Sequence, residues 1–185
     1  MKLTLLPIVA CLLSSTIAAP VKTAKKDTRA VDLAIQHVTA ALTRLDAAFN
    51  NINSRSTNKK EQLNTANDIL NINSFLQSEL RTGTGVVESG GNVGPVEAVT
   101  LVTPVQKITT LTTQITDGWQ GPVKKVFKAA GKRDAVLKEL TATKKASSDF
   151  ADALTAKLPF AYQYIGTANK ASVTRSIQNA IDDYS

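Results

Sequence analysis

The sequence is short of reactive side chains. Among 185 residues it has one cysteine, one histidine, one tryptophan and nine aromatics in all, about 5% of the chain. A single His37 without a second histidine or nearby cysteine offers neither a metal site nor a nucleophile–base pair. Adjacent carboxylates occur only as Asp182-Asp183, near the chain end, where no cleft is indicated for acid–base work. The glycines of "RTGTGVVESGGNVGP" (81–95) are not followed by Lys-Ser/Thr, so they do not make a phosphate cradle and read as a loop. No Asn-x-Ser/Thr sequon occurs. Catalysis is not expected, and neither a cofactor nor a metal is.

The lone Cys11 lies in "LTLLPIVACLLSSTIAA", an apolar run that follows Lys2 and ends on Ala18-Ala19. A basic start, a short apolar middle and a small-residue exit describe a secretory signal peptide over residues 1–19. The run is shorter than the ~20 residues a bilayer span needs, and Pro7 interrupts it. Cleavage there leaves an exported chain without a thiol or disulfide, held by packing alone. Residues 20–26, "PVKTAKK", read as a flexible mature N-terminus; its Lys25-Lys26 pair is a dibasic processing site or a solvated linker. No apolar tail follows Asp182, so a C-terminal lipid anchor is not expected. The net charge of +7 falls by one when Lys2 is lost. That excess favours solubility and loose attraction to anionic surfaces.

Residues 27–185 read as one helical domain. From Asp27, a candidate N-cap, apolar residues recur in three- and four-residue steps from Val31 through Phe49 and Ile52. Asn58 and Glu61 form a capping-box-like start to a second helix whose stripe is Leu63, Ala66, Ile69, Leu70, Leu76 and Leu80. "TLVTPVQKITTLTTQIT" (100–116) is rich in strand-forming residues, yet its apolar positions do not alternate. Helical steps collect Val105, Ile108, Leu111 or Thr112, Ile115 and Trp119, preceded by Val96, Val99 and Val102, so it is a helix kinked or restarted at Pro104. A short helix opens at Pro122 and ends at Gly131, a long one runs to Pro159, and a last begins near Asn169. The fold class is all-α, a bundle of about five amphipathic helices without disulfides.

Lys124, Lys125, Lys128, Lys132 and Arg133 make one basic run. It is either a patch for anionic polymers or head groups or a solvated face across two helix ends, and the second reading is preferred. Few aromatics and no stacking motif argue against nucleic acid. The inner stripes are Ala, Val, Ile, Leu and Thr, which pack into a filled core or, if the helices are held apart, enclose a dry cavity for an apolar guest.

The order of these elements, and above all "FKAAGKRDAVLKELTATKKASSDFADALTAKLP" (127–159) with "LVTPVQKITTL" (101–111), resembles the fungal hydrophobic surface-binding protein A family, which includes the ligand-binding domains of antigenic cell wall galactomannoproteins. The resemblance implies a small secreted helical protein without catalysis that holds a long-chain fatty acid between helices or adsorbs to hydrophobic surfaces. The chain lacks the Ser/Thr-rich tail of wall-anchored members, so a freely secreted form is expected, at most loosely associated with the wall. On the carrier reading, Val38, Leu42, Leu45, Phe49, Val105, Ile108, Leu111, Thr112, Ile115, Phe150 and Leu154 line the cavity, and a Thr hydroxyl or rim lysine receives the carboxylate. On the alternative, the bundle opens on a waxy surface and recruits a secreted hydrolase. A structural wall antigen is a third, weaker reading.

Overall fold

The computed structural model describes residues 24–52 and 58–185. The expected signal peptide (1–19), residues 20–23 and residues 53–57 lie outside that range. Six helices and no strand occur among the described residues: α1 (Ala24–Asn50), α2 (Lys59–Ser89), α3 (Pro95–Gln120), α4 (Pro122–Ala129), α5 (Arg133–Lys157) and α6 (Phe160–Tyr184).

The five long helices form a closed ring in the order α1–α2–α5–α6–α3, and α4 crosses one end. Side-chain pairs fix their directions. His37 meets Glu79 while Arg44 lies over Phe75, so α1 and α2 are antiparallel. Lys144 meets Gln178 and Asp152 meets Lys170, which makes α5 and α6 antiparallel too. Thr109 bonds Asn169 and Trp119 bonds Tyr184, so α3 and α6 run in parallel. The two ends of the ring therefore differ in composition.

One end is filled. Trp119 packs edge-on against Phe49, with ring centroids 5.1 Å apart, and against Tyr184 at 6.4 Å; Phe127 of α4 lies 5.4 Å away. Phe49 reaches this position over Gly118, where a Cβ would sit 2.4 Å from the Phe49 ring. Tyr184 donates its hydroxyl to the Trp119 carbonyl at 2.9 Å, satisfying an acceptor at the end of α3. Burial, with Asp183 adjacent, raises the Tyr184 pKa well above the usual phenol value. Gly131, at φ +66°, closes α4: Lys132 N bonds Phe127 O and Gly131 N bonds Lys128 O, the paired bonds of a left-handed helix stop. Part of the basic run is structural here. Lys124 pairs with Asp183 at 2.7 Å, and Arg133 donates to the carbonyls of Tyr184 and Ser185.

Along the α2–α5 seam the inward face of α2 is partly polar. Asn73 is fully buried and donates to Thr143 Oγ1 (3.0 Å) and Glu139 Oε2 (3.3 Å), and Gln77 donates to Glu139 Oε2 at 2.6 Å. Such a network fixes the register of two helices that apolar packing alone would let slide.

Four sequence expectations are corrected. The 81–95 stretch is mostly helix: α2 continues to Ser89, and only Gly90–Gly94 connect it to α3. Gly83 sits where the Phe150 ring presses on the α2 backbone, so this glycine serves a close approach rather than a turn. Asp27 is inside α1, which already includes Ala24, and so does not cap it. Pro104 lies within α3, which it need not end, and of the two alternatives the restart falls away. The helix begins at Pro95, and its inward face is Ala98, Leu101, Thr112 and Ile115, leaving Val96 and Val99 exposed. The last helix starts at Phe160, immediately after Pro159, rather than near Asn169. Pro159 both stops α5 and supplies the carbonyl that Tyr162 N bonds at 2.8 Å.

Candidate functional site

Away from the aromatic end the helices leave a gap between them. A narrow slot lies between α1, α3, α5 and α6, with Leu80 of α2 at its back. It is narrow rather than a chamber, and its wall is overwhelmingly apolar. Along α6 it extends from Tyr162 to Val173, roughly 16 Å at the rise of an α-helix.

The space follows from where the large side chains went. Four of the nine aromatics are packed in the far end, so the slot is bordered by valines, leucines and small residues such as Ala98, Ser147, Ala151 and Gly166. Gly166 lets α6 approach α5 so closely that a Cβ would lie 2.2 Å from Thr155 Oγ1. The helix ends around the slot are tied together. Lys157 Nζ donates to the carbonyls of Glu88 (3.0 Å) and Gly90 (2.6 Å), and Val93 N donates to Lys157 O at 2.9 Å. These bonds account for the Lys157-Leu158-Pro159 ending as a clasp between α5 and the α2–α3 loop.

Of the residues expected to line a cavity, Val38, Leu42, Val105, Ile108, Thr112, Phe150 and Leu154 border the slot. Leu45, Phe49, Leu111 and Ile115 do not. A helical stripe runs the whole length of the bundle, whereas the slot occupies only part of it. Leu45 and Phe49 follow α1 past the slot, Phe49 into the aromatic end; Ile115 is core and Leu111 half-buried beyond the wall. The sequence reading missed Leu101, Val102, Leu158, Tyr162, Ile165, Asn169, Lys170 and Val173, of which Tyr162 and Ile165 fall in the nine residues by which it began α6 too late.

The polar atoms in the wall are unequal. Thr112 and Thr155 donate their hydroxyls to the carbonyls of Ile108 (2.9 Å) and Ala151 (2.7 Å), so each has committed its one proton. Among the described residues no Asp or Glu borders the slot, and Lys170 is the one charged residue in its wall. His37 is remote and exposed, with its Nδ1 3.3 Å from Glu79. Among the described residues no group of three His, Cys, Asp or Glu side chains could hold a metal ion, and no helix is long and apolar enough to cross a membrane.

Comparison with known proteins gives this geometry a context. The model of the family described as hydrophobic surface binding protein A matches residues 15–156. Cell wall mannoprotein 1 of Aspergillus flavus is 30% identical over 109 residues, 59% of this chain but 40% of that protein. Its Aspergillus fumigatus counterpart is 31% identical over 59% of this chain and 38% of its own length. The chain thus spans about two fifths of the curated relatives it matches. Among solved structures, ligand binding domain 1 of Penicillium marneffei MP1 protein, complexed with arachidonic acids, superposes with a TM-score of 0.77 at 17% identity, covering 86% of this chain and 99% of that one. AFMP4P in complex with palmitic acid gives a TM-score of 0.77 at 13% identity, covering 86% and 100%. At such identities the likeness is one of fold.

Proposed function

We propose that this chain, which belongs to the hydrophobic surface binding protein A family, is a secreted, non-catalytic carrier that holds one long-chain fatty acid in the slot between α1, α3, α5 and α6. The observation that carries the reading is the slot itself: a narrow, apolar-walled space inside the helical bundle. A narrow apolar gap leaves part of its lining without contact partners, and an acyl chain restores them. The fatty acids in the two solved relatives favour the same class of guest. Residues 1–19 act as the export signal and 27–185 as the binding domain; the names of the curated relatives favour an extracellular or wall-associated setting.

The test is calorimetric. Protein stripped of lipid takes up palmitate in a saturable, one-to-one manner. Absence of saturable heat, together with no lipid in the natively purified protein, refutes the reading.

A second reading, adsorption to a hydrophobic surface, is favoured by one feature. Phe160 and Tyr164 are 90% and 69% exposed, and Val96 and Val99 are 77% and 55% exposed, at the shared N-terminal end of the parallel helices α6 and α3. On that reading this end meets the waxy surface, and a secreted hydrolase would bind elsewhere on the molecule. Depletion by hydrophobic beads falls when Phe160 and Tyr164 are both changed to Ser. Unchanged depletion removes the assignment.

A further inference from the structure

Among the described residues the slot's wall carries donors for an anion and no acidic group. The α3–α6 seam fixes one of them. Asn169 Oδ1 lies 3.1 Å from Thr109 Oγ1 and accepts its proton, which turns the Asn169 amide nitrogen away from that bond. The two N–H groups on that nitrogen have no partner among the described residues. One residue further on, Lys170 borders the slot with its ammonium 2.6–2.7 Å from the two carboxylate oxygens of Asp152. Asp152 is 60% exposed and does not border the slot. A pair so open to water contributes little and exchanges partners readily. The threonines cannot substitute as donors. Thr112 and Thr155 have given their protons to their own helix, and Thr109 has two acceptors within reach already. Ser147, whose hydroxyl makes no hydrogen bond among the described residues, lies on α5 five residues from Asp152, roughly 8 Å deeper along the bundle by the helical rise.

We infer that Asn169 and Lys170 form the headgroup subsite of the slot, so that it selects single-chain amphiphiles with an anionic, carboxylate-like head over neutral ones of equal length. This rests on the lipid-carrier reading of the same slot and names its ligand class more closely. The head lodges against α6 between its α3 and α5 seams, where Lys170 exchanges Asp152 for the ligand, and the Asn169 amide donates a second, charge-assisted bond. The tail lies among Leu101, Val105, Phe150 and Leu154.

The experiment compares dodecanoate with dodecanol by calorimetry on delipidated protein. Wild type binds the acid about tenfold more tightly, the worth of one charge-assisted contact. Lys170→Met erases that preference by weakening the acid alone, and Lys170→Arg retains it. Asn169→Leu weakens the acid severalfold, and Asp152→Asn strengthens it by releasing the ammonium. Equal affinity of wild type for acid and alcohol, or equal weakening of both by Lys170→Met, overturns the subsite while leaving the carrier reading intact. Failure of wild type to bind either compound overturns both.

Discussion

Ala151 faces the slot from the middle of α5, and replacing it with leucine adds three carbons to a space that is already narrow. The helix accepts the change, because Ala and Leu are both strong helix formers. If the slot is empty without ligand, those carbons gain up to about 2.4 kcal/mol of burial at ~0.8 kcal/mol per methylene. Imperfect fit returns roughly 1–3 kcal/mol of that as strain. Stability of the lipid-free protein should therefore change by no more than about 1 kcal/mol, or roughly 2–4 °C in a thermal melt. Binding should respond much more strongly. The added carbons occupy room for about three methylenes of an acyl chain, so palmitate loses a similar ~2.4 kcal/mol, about fiftyfold in Kd. Calorimetric titration of the delipidated variant gives Kd, with Ala129→Leu on the exposed face of α4 as a control that should bind as wild type does. The reasoning is refuted if Ala151→Leu keeps wild-type affinity, or if it loses several kcal/mol of stability, since a void would not resist filling.

Three further outcomes follow from the packing. Gly83→Ala places a Cβ about 2.9 Å from Phe150 Cε2, so the ring must move toward the slot; affinity for palmitate should fall severalfold while stability drops by only about 1 kcal/mol, because the helix gains propensity as it loses fit. Asn73→Ala strips the buried bonds to Thr143 and Glu139 and should lower stability by about 1–3 kcal/mol, read as a fall in the urea midpoint at unchanged slope. Tyr184→Phe should cost about 1 kcal/mol at neutral pH by leaving the Trp119 carbonyl without its partner. The same variant tests the raised Tyr184 pKa. With the folded pKa above the unfolded value of about 10, folded protein keeps a proton that the unfolded chain releases. The phenol's stabilisation is thus full below about pH 10 and declines as pH rises beyond it. Wild type should lose stability there by an increment that Tyr184→Phe lacks.

Much of the fold could be read from spacing alone, and the exceptions share one cause. Stripes such as Val31–Leu45 on α1 and Val136–Leu154 on α5 are long and regular, so their helices were evident. Gly83, Gly118 and Gly166 were opaque because a glycine in a turn and a glycine beneath a neighbour's ring are written with the same letter. The difference lies in Phe150, Phe49 and Thr155, which are distant in sequence. Asn73 and Gln77 look like surface residues until Glu139 and Thr143 of another helix are placed opposite them. Phase is the subtler difficulty. In α3 both Val96-Val99-Val102 and Ala98-Leu101-Val105 keep helical spacing, and only contact with α1 and α6 decides which row faces inward. The candidate site suffered twice from this. Periodicity identifies residues that face the centre of a bundle but not which part of the centre is empty, so Leu45, Phe49, Leu111 and Ile115 were grouped with true slot residues. It was also silent over 160–168, where Tyr162, Ile165 and Gly166 form a face too mixed in size and polarity to register as a stripe.

The most direct measurement is a methyl-resolved magnetic resonance titration of delipidated protein with palmitate. The account predicts stoichiometric shifts at Val38, Leu101, Val105, Leu154 and Val173 around the slot, while Val123, Val126 and Val136 around the filled end stay in place. Shifts confined to the exposed Val96 and Val99, or none at all, contradict it.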